Sequence, residues 1–288
     1  MLDTLTTALP FQRTFLDSII KTAKCHQSVV GLAIAGSAST NQLDAFSDLD
    51  LVVAIAPEHY ENVMKQRHAL AADMGELLAA STGEHVGEPR LLICLYDLDG
   101  ELLHVDLKFV TPDELSKRVD NPRVLWEQDK IVTRHLGNED GQYPIAPLQW
   151  FEDRFWIWVH YGATKIGRGE YFEALDLHNF IRQTVIVPLA KKHHGLQPNG
   201  IRRVEELLPE LAKKLQFTLA TCNCNDLVSA TEQLAALFVT YRDLLAQSES
   251  LARRETAQQR AMEYLRMIGH NTNQQTQRDV IDDSQRDI

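Results

Sequence analysis

Three aspartates are the residues of this 288-residue chain whose spacing best supports catalysis. Asp48 and Asp50 lie two positions apart in a run typical of a strand, so both side chains are expected on one face. Two carboxylates this close repel each other unless a cation lies between them. Mg²⁺ suits such a pair, because it prefers oxygen ligands and is commonly held by one or two carboxylates plus substrate phosphates.

The third aspartate, Asp106, lies within an otherwise apolar strand segment. A carboxylate in that position is costly to bury unless it is paired or ligated. Three carboxylates on adjacent strands can hold two metal ions, or hold one and leave Asp106 as a general base. The sequence leaves both roles open.

A Gly-Ser pair follows the first apolar run. Gly36 allows the backbone to turn sharply and to approach a ligand closely. Ser37 offers a hydroxyl and a backbone N–H to an anionic oxygen. Gly-Ser before a loop and acids on a solvated strand face are each common, so only their combination is specific.

The elements around these residues predict a small α/β unit followed by helices. Strands are expected over 28–35, 48–56, 90–96 and 101–110, with helices over 10–26 and 58–82. Residues 112–148 suggest only a short strand and a loop, and we assign them no chemistry. Further helices are expected over 150–168, 170–195, 202–215, 225–247 and 254–268.

The change in character near residue 148 predicts two domains and an α+β fold class. Residues 1–148 are expected to form a mixed-sheet domain with helices, and residues 149–268 an all-α bundle. Residues 269–288 are rich in Asn, Gln, Asp and Arg and are expected to be disordered. Substrates are expected in a cleft between the two domains.

Composition narrows the class of protein. The formal net charge of −11 argues against a nucleic-acid binder with basic stripes and is compatible with a cationic small molecule. No apolar run is long enough to cross a membrane, and the first residues do not resemble a signal peptide. The four cysteines lack metal-site spacing and are expected to be reduced thiols of a cytoplasmic protein.

The segment from Gly36-Ser37 to Ser47-Asp48-Leu49-Asp50-Leu51-Val52-Val53 resembles the signature of the DNA polymerase β-like nucleotidyltransferase superfamily. The resemblance covers residues 28–110 and implies a nucleotidyltransferase domain. It implies that Asp48 and Asp50 bind Mg²⁺, and that Gly36 and Ser37 contact the nucleotide phosphates. It also implies that Asp106 is a metal ligand or the base for the attacking hydroxyl.

Residues 150–182 resemble, more loosely, the helical bundle of antibiotic nucleotidyltransferases related to lincosamide nucleotidyltransferase and aminoglycoside 6-adenylyltransferase. This resemblance implies that Lys165 reaches the triphosphate, with Arg168 beside it. A cation there would stabilise the charge on leaving pyrophosphate. The alternative is ordinary positive charge at the end of a helix.

Two further sets of residues carry open alternatives. His104 either orients Asp106 or is a half-buried histidine satisfied by hydrogen bonds. The acids of the helical half either receive a cationic substrate or form solvated helix faces; they are Glu152, Asp153, Glu170, Glu173 and Asp176.

Together these observations predict a metal-dependent nucleotidyltransferase. It is expected to move AMP from ATP, or another NMP from its NTP, onto a hydroxyl of an aminoglycoside or lincosamide and to release pyrophosphate. Its expected partners are the NTP and that acceptor, without nucleic acid or membrane, and it is expected to be a monomer or homodimer. The alternatives are a protein or RNA acceptor, or an inactive regulatory protein with this fold.

Overall fold

The computed structural model describes the backbone of residues 5–286 and the side chains of residues 5–271. The chain divides into two compact units, Met1–Gln142 and Tyr143–Ile288. The first contains a mixed six-stranded sheet with helices and the second is helical, so the predicted α+β class is confirmed. The predicted domain limits at residues 148 and 268 stay predictions.

The first unit consists of short helices and six strands. In chain order they are α1 (Pro10–Cys25), β1 (Val29–Ile34), α2 (Gly36–Ser39), β2 (Leu49–Ile55), α3 (Tyr60–Ala72), β3 (Glu76–Gly83), β4 (Glu88–Leu98), β5 (Glu101–Val110), β6 (Arg123–Glu127) and α4 (Ile131–Leu136). Short 3-10 segments lie at Pro57–His59, Glu84–Val86 and Pro112–Ser116. The strand order is β3-β4-β5-β2-β1-β6, and β2 with β5 is the parallel pair.

One face of the sheet carries the larger core. Helix α1 begins with Pro10 at its first turn, where the missing N–H has no cost. Its buried side chains, including Phe15 and Ile19, pack with α3 against alternate strand residues. The ring centroids of Phe15 and Tyr96 are 4.8 Å apart. This packing fixes which face of β2 and β5 remains for polar residues.

The opposite face has a smaller apolar cluster. It includes Ala33, Ala54 and Val110 on the strands, with Leu115 and Val132 from the segments that cover them. The cluster packs against only part of that face. Asp50, near the start of β2, and Asp106, in the middle of β5, lie on the same face.

The predicted helix over 58–82 is wrong in its second half. Helix α3 ends at Ala72, and residues 76–83 form the edge strand β3, which pairs with β4 in an antiparallel ladder. Gly75 lies against the Tyr96 ring, which an added Cβ would approach to 3.3 Å. Strand pairing here overrides the helical spacing of the apolar residues.

Two other local expectations change. Residues 131–136, expected to be a loop, form α4, and the Glu127 carboxylate accepts from the backbone N–H and the hydroxyl of Thr133 at its start. The loop expected over 37–47 begins within the single turn α2. The strand expected near residue 124 is present as β6 beside β1.

The second unit consists of helices. They are α5 (Leu148–Gly167), α6 (Tyr171–Ile181), α7 (Val187–His193), α8 (Val204–Leu207), α9 (Pro209–Gln216), α10 (Cys224–Leu245) and α11 (Glu255–Arg286), with a π-helical segment, Arg182–Ile186, between α6 and α7. Helices α5 and α10 meet in the core, where Phe155 stacks on Phe238 with ring centroids 3.9 Å apart. Within the described residues, no helix is both long and apolar enough to cross a membrane.

Helix α11 includes most of the segment expected to be a disordered tail. Side chains from 272 onward, and the backbone of 287 and 288, lie outside the described residues. The expectation of a disordered tail therefore stays a prediction.

Candidate functional site

Asp50 and Asp106 occupy matching positions on two neighbouring parallel strands. Asp50 of β2 pairs in register with Asp106 of β5. Leu51 and Leu107, which follow them, are buried in the larger core. Side chains alternate along a strand, so this burial places both carboxylates together on the opposite face, across a strand spacing of roughly 4.8 Å.

Asp48 directly precedes β2 and is half-buried. It lines a pocket of about 390 Å³ together with residues that include Phe46, Leu95, Leu102 and His104. Phe46 and Leu102 are exposed. Asp48 therefore faces a space large enough for a small ligand, on the side of β2 where β4 and β5 lie.

Position 36 requires a glycine because Asp50 lies directly against its backbone. Its φ is +58°, and a Cβ added there would lie 2.0 Å from Oδ2 of Asp50. The backbone N–H of Ala35 also donates to the backbone carbonyl of Asp50, at 2.8 Å. The Gly-Ser turn therefore packs directly against Asp50. A side chain at position 36 would displace the Asp50 carboxylate.

Ser37 lies in the single turn α2 and is half-buried. Its backbone carbonyl accepts from the N–H of Gln42 at 2.8 Å. Arg123 of β6 donates to the backbone carbonyl of Ser39 at 3.0 Å and to the side chain of Asn41. The turn that begins with Gly36 and Ser37 is therefore held by β6 through Ser39 and Asn41, and by β2 through Ala35.

Asp120 is a site residue that sequence reasoning missed. Its Oδ2 accepts from the backbone N–H of Gly36 at 3.3 Å. The backbone of Asp120 packs closely on Gly141. A Cβ added to Gly141 would lie 2.4 Å from the backbone carbonyl oxygen of Asp120. No local motif marks this acid, because only the path of the chain after β5 brings it to Gly36.

Gln12 was also missed, although it is fully buried. Its side-chain N–H groups donate to the backbone carbonyls of Asp44, at 3.2 Å, and Ser47, at 3.4 Å. Its oxygen accepts from the backbone N–H of Leu9. Gln12 therefore holds the loop that leads into Asp48. A polar residue on the apolar face of α1 was the available signal.

His104 bonds to Asp106. Its Nε2 lies 2.9 Å from Oδ1 of Asp106, with the histidine about half exposed. This arrangement fits the alternative in which His104 orients the acid. Lys108, on the same face of β5, pairs with Glu88 at 2.9 Å, and hydrogen bonding from Arg90 chiefly lowers the pKa of Glu88 to about 2.

The structure brings Asp50 and Asp106 together and places Asp48 directly before β2, so the predicted three-carboxylate metal site stays a prediction. Among the side chains of residues 5–271, no three His, Cys, Asp or Glu groups are close enough together to hold a metal ion. Mg²⁺ often uses one or two carboxylates and completes its shell with phosphate oxygens and water. Asp50 together with either Asp48 or Asp106 would fit that pattern.

Lys165 is held by acids of its own unit. Its Nζ pairs with Glu170 at 2.8 Å and with Glu173 at 2.9 Å, and lies 5.1 Å from the centre of the Tyr161 ring. Hydrogen bonds to Glu170 and then Glu173 raise the pKa of Lys165, so it stays charged. Arg168 is exposed at the C-terminal end of α5.

Glu152 belongs to the structure of the bundle. It is fully buried and accepts from the backbone N–H of Arg254 at 2.8 Å and from Arg242 at 3.4 Å. Asp153 pairs with the Arg254 side chain at 2.7 Å. Both acids therefore have basic partners within the unit. Of the two alternatives for Glu152, burial excludes a solvated helix face.

A family model supports the resemblance to antibiotic nucleotidyltransferases. The family model for streptomycin adenylyltransferase matches residues 11–268. A search of curated protein sequences finds no matching relative. A solved aminoglycoside 6-adenyltransferase from Bacillus subtilis is similar at 15% identity and a TM-score of 0.42, covering 91% of this chain and 98% of that chain. The family match covers both units, so the chain belongs to the streptomycin adenylyltransferase family and is a nucleotidyltransferase.

Proposed function

We propose that this protein transfers AMP from ATP to a hydroxyl of a cationic aminoglycoside such as streptomycin, and that it does so with Mg²⁺. The observation that carries the proposal is the register of Asp50 with Asp106, next to the Gly36 turn. The family match supports the adenylyl donor and the aminoglycoside acceptor.

Each carboxylate has a proposed role. Asp48 and Asp50 would hold Mg²⁺, which supplies Lewis-acid stabilisation of the phosphate oxygens when bound. Asp106 takes the proton of the acceptor hydroxyl, and His104 orients it from 2.9 Å. The acceptor oxygen forms a bond to the α-phosphorus, and the bond from that phosphorus to the bridging oxygen breaks. Pyrophosphate carries away the released electron pair, and the proton passes from Asp106 to solvent.

Ser37 supplies the proposed phosphate contacts, and Gly36, whose N–H donates to Asp120, lets the phosphates approach the backbone closely. Lys165 and Arg168 are the proposed cations. Lys165 is charged but paired with Glu170 and Glu173. In this proposal it must exchange at least one of these carboxylates for a phosphate oxygen. The ion pairs with both carboxylates make that exchange costly.

The acceptor is proposed from charge and family together. A net charge of −11 favours a cationic small molecule over RNA, whose phosphates would be repelled. An aminoglycoside fits the matching family better than a lincosamide does. The proposal includes a cytoplasmic location, where ATP is present and the four free cysteines would stay reduced.

The test measures transfer of label from α-labelled ATP to streptomycin, with and without Mg²⁺. We expect labelled streptomycin with the wild-type protein and about a hundredfold or greater loss in the Asp48→Asn, Asp50→Asn double variant. Asp17→Asn, an exposed aspartate on α1, is the matched control and should keep its activity.

Three results would contradict the proposal in different ways. A folded double variant with the wild-type rate would show that the carboxylate site is wrong. Labelled protein or RNA, without labelled streptomycin, would support the macromolecular acceptor. Failure of the wild-type protein to bind Mg-ATP would support the inactive regulatory protein.

A further inference from the structure

The turn that begins at Gly36 is held at both ends by one short stretch of chain. At its start, Oδ2 of Asp120 accepts from the backbone N–H of Gly36 at 3.3 Å. At its end, Arg123 donates to the backbone carbonyl of Ser39 at 3.0 Å and to Oδ1 of Asn41 at 3.3 Å. A carboxylate only accepts and a guanidinium only donates, so each charged group meets the partner that it can bond.

Asn41 shows that this turn needs support from outside. Its φ is +56°, in the left-handed region that residues other than glycine rarely adopt. Such a conformation is costly and persists where surrounding contacts impose it. Arg123, on the neighbouring strand β6, supplies one of these contacts. Asp120 supplies the corresponding contact at the other end of the turn.

The Asp120 contact decides which donors of the turn remain for a ligand. The carboxylate takes the N–H of Gly36. The carbonyl of Ser37 accepts from the N–H of Gln42 at 2.8 Å and from the hydroxyl of Thr40 at 3.2 Å. In the part of the chain that the structure describes, no partner is found for the N–H or the hydroxyl of Ser37. The turn therefore presents these two Ser37 donors to an anionic oxygen.

Asp120 is itself fixed by the segment that ends the first unit. The backbone of Asp120 lies against Gly141. The next residue, Asn121, accepts from the N–H of Gly141 at 2.8 Å and donates to Oδ1 of Asp140 at 2.9 Å. All of these residues belong to the unit Met1–Gln142. The carboxylate of Asp120 is therefore presented to the turn by a backbone that has its own hydrogen bonds.

We propose that Asp120 is a positioning residue for the donor nucleotide. By bonding to Gly36, it holds the N–H and the hydroxyl of Ser37 where the triphosphate meets them. Asp120 does not touch the nucleotide and takes no part in the transfer step. The inference rests on the proposed function, in which Ser37 contacts the phosphates of ATP.

The test measures binding of Mg-ATP to the full-length protein by isothermal titration, without an acceptor, so that no transfer occurs. Asp120→Ala should weaken binding by about tenfold, the effect of one lost hydrogen bond. Asp120→Asn keeps an oxygen for the N–H of Gly36 and should bind within about threefold of the wild type. Asp17→Ala, which changes an exposed aspartate on α1, is the control and should bind normally.

A second variant tests the same contact from the far side of Asp120. Gly141→Ala would place a Cβ 2.4 Å from the backbone carbonyl oxygen of Asp120, so the Asp120 backbone must move. It should weaken ATP binding about as much as Asp120→Ala does. The double variant should be little worse than either, because both changes remove one contact. Gly137→Ala is the control, since its added Cβ meets nothing within 4 Å although its φ of +61° also strains the backbone.

Kinetics separate positioning from a purely structural role. Asp120→Ala should raise the KM for ATP by about tenfold and leave kcat and the melting temperature close to wild type. Unchanged ATP affinity in Asp120→Ala, or an equal loss in Asp120→Asn, would overturn the inference. A wild-type protein that binds Mg-ATP but labels no streptomycin refutes the proposed acceptor, and the titrations still decide the role of Asp120. A wild-type protein that binds no Mg-ATP refutes both.

Discussion

Asp50 and Asp106 lie opposite each other on the parallel strands β2 and β5, and His104 bonds to the second of them. The two acids come from distant parts of the chain and reach the same face because Leu51 and Leu107 are buried on the other. The two carboxylates are therefore close because the core buries the residues that follow them, and not only because of the Asp-Leu-Asp motif.

Replacing Asp106 with Asn should lower kcat by about a hundredfold or more while the protein stays folded, because Asn has the same shape but cannot take a proton. His104→Gln, which removes the ring but leaves the acid, should have a smaller effect. Single-turnover transfer measurements compare the two. Equal, small losses in both variants would rule out Asp106 as the base.

Gly36→Ala should abolish transfer. The new Cβ would lie 2.0 Å from Oδ2 of Asp50 and must move that carboxylate. Gly87→Ala is the matched control, because Gly87 also has a positive φ, of +75°, but nothing lies within 4 Å of an added Cβ. Both variants should lose about 1 kcal/mol of stability from the backbone alone. Thermal unfolding and transfer assays together test this, and an active Gly36→Ala protein would contradict it.

Gln12→Glu should loosen the loop before Asp48. The substitution keeps the oxygen that accepts from Leu9 but removes the donors to the carbonyls of Asp44 and Ser47. We expect a loss of about 1–3 kcal/mol in the free energy of unfolding, since buried carbonyls lose their partner. Activity should fall further than in a Gln66→Glu control, which changes an exposed glutamine on α3. Denaturant unfolding measures the first effect.

Lys165→Met should raise the KM for ATP if Lys165 contacts the triphosphate. Glu173→Gln should have the opposite effect, because it frees the ammonium from one of its two carboxylates. Lys213→Met, an exposed lysine paired only with Glu210 within the described residues, should leave the KM unchanged. Steady-state kinetics over a range of ATP concentrations provide the test. An unchanged KM in Lys165→Met would assign Lys165 to the stability of the bundle.

Acidification should destabilise the helical unit through His178. The Thr231 hydroxyl donates to a backbone carbonyl, so it accepts from Nε2 of His178, and Nδ1 is buried without a partner. Burial, and then the charge of Arg182, lower the pKa of His178 from 6.5 to about 4. The unfolded chain thus takes up a proton at a higher pH than the folded protein does, and stability is lost as the pH falls from 6.5 towards 4.

The expected loss across that range is roughly 2–3 kcal/mol. His178→Gln, which keeps a donor for Thr231, should flatten the dependence, whereas His85→Gln, an exposed histidine, should not. Denaturant unfolding at several pH values measures the slope. Equal slopes in the wild type and His178→Gln would refute the assignment.

Site residues that follow from the alternation of side chains along a strand could be predicted from the sequence. Site residues that depend on contacts between distant parts of the chain could not. Asp48, Asp50 and Asp106 follow from strand periodicity and the Gly-Ser motif. Asp120 reaches Gly36 only through the path between β5 and β6. Likewise, residues 76–83 have helical spacing, and only pairing with β4 makes them a strand.

The helical unit illustrates the same limit. The position of Lys165 near a helix end could be predicted from the sequence, but its two carboxylate partners depend on the turn between α5 and α6. The π-helical segment Arg182–Ile186 was likewise not predicted, since the sequence indicated a single helix over 170–195.

The parallel pairing of β2 with β5 also has a consequence for folding. The two strands cannot meet until the chain has passed through α3, β3 and β4. Non-local pairing of this kind must offset the entropy of closing a long loop, and it tends to form slowly. On the ribosome, the β-hairpin of β4 and β5 can form before β5 meets β2. The register that aligns the two aspartates is therefore expected to be a late event in folding, and substitutions that weaken it should mainly slow the appearance of active protein.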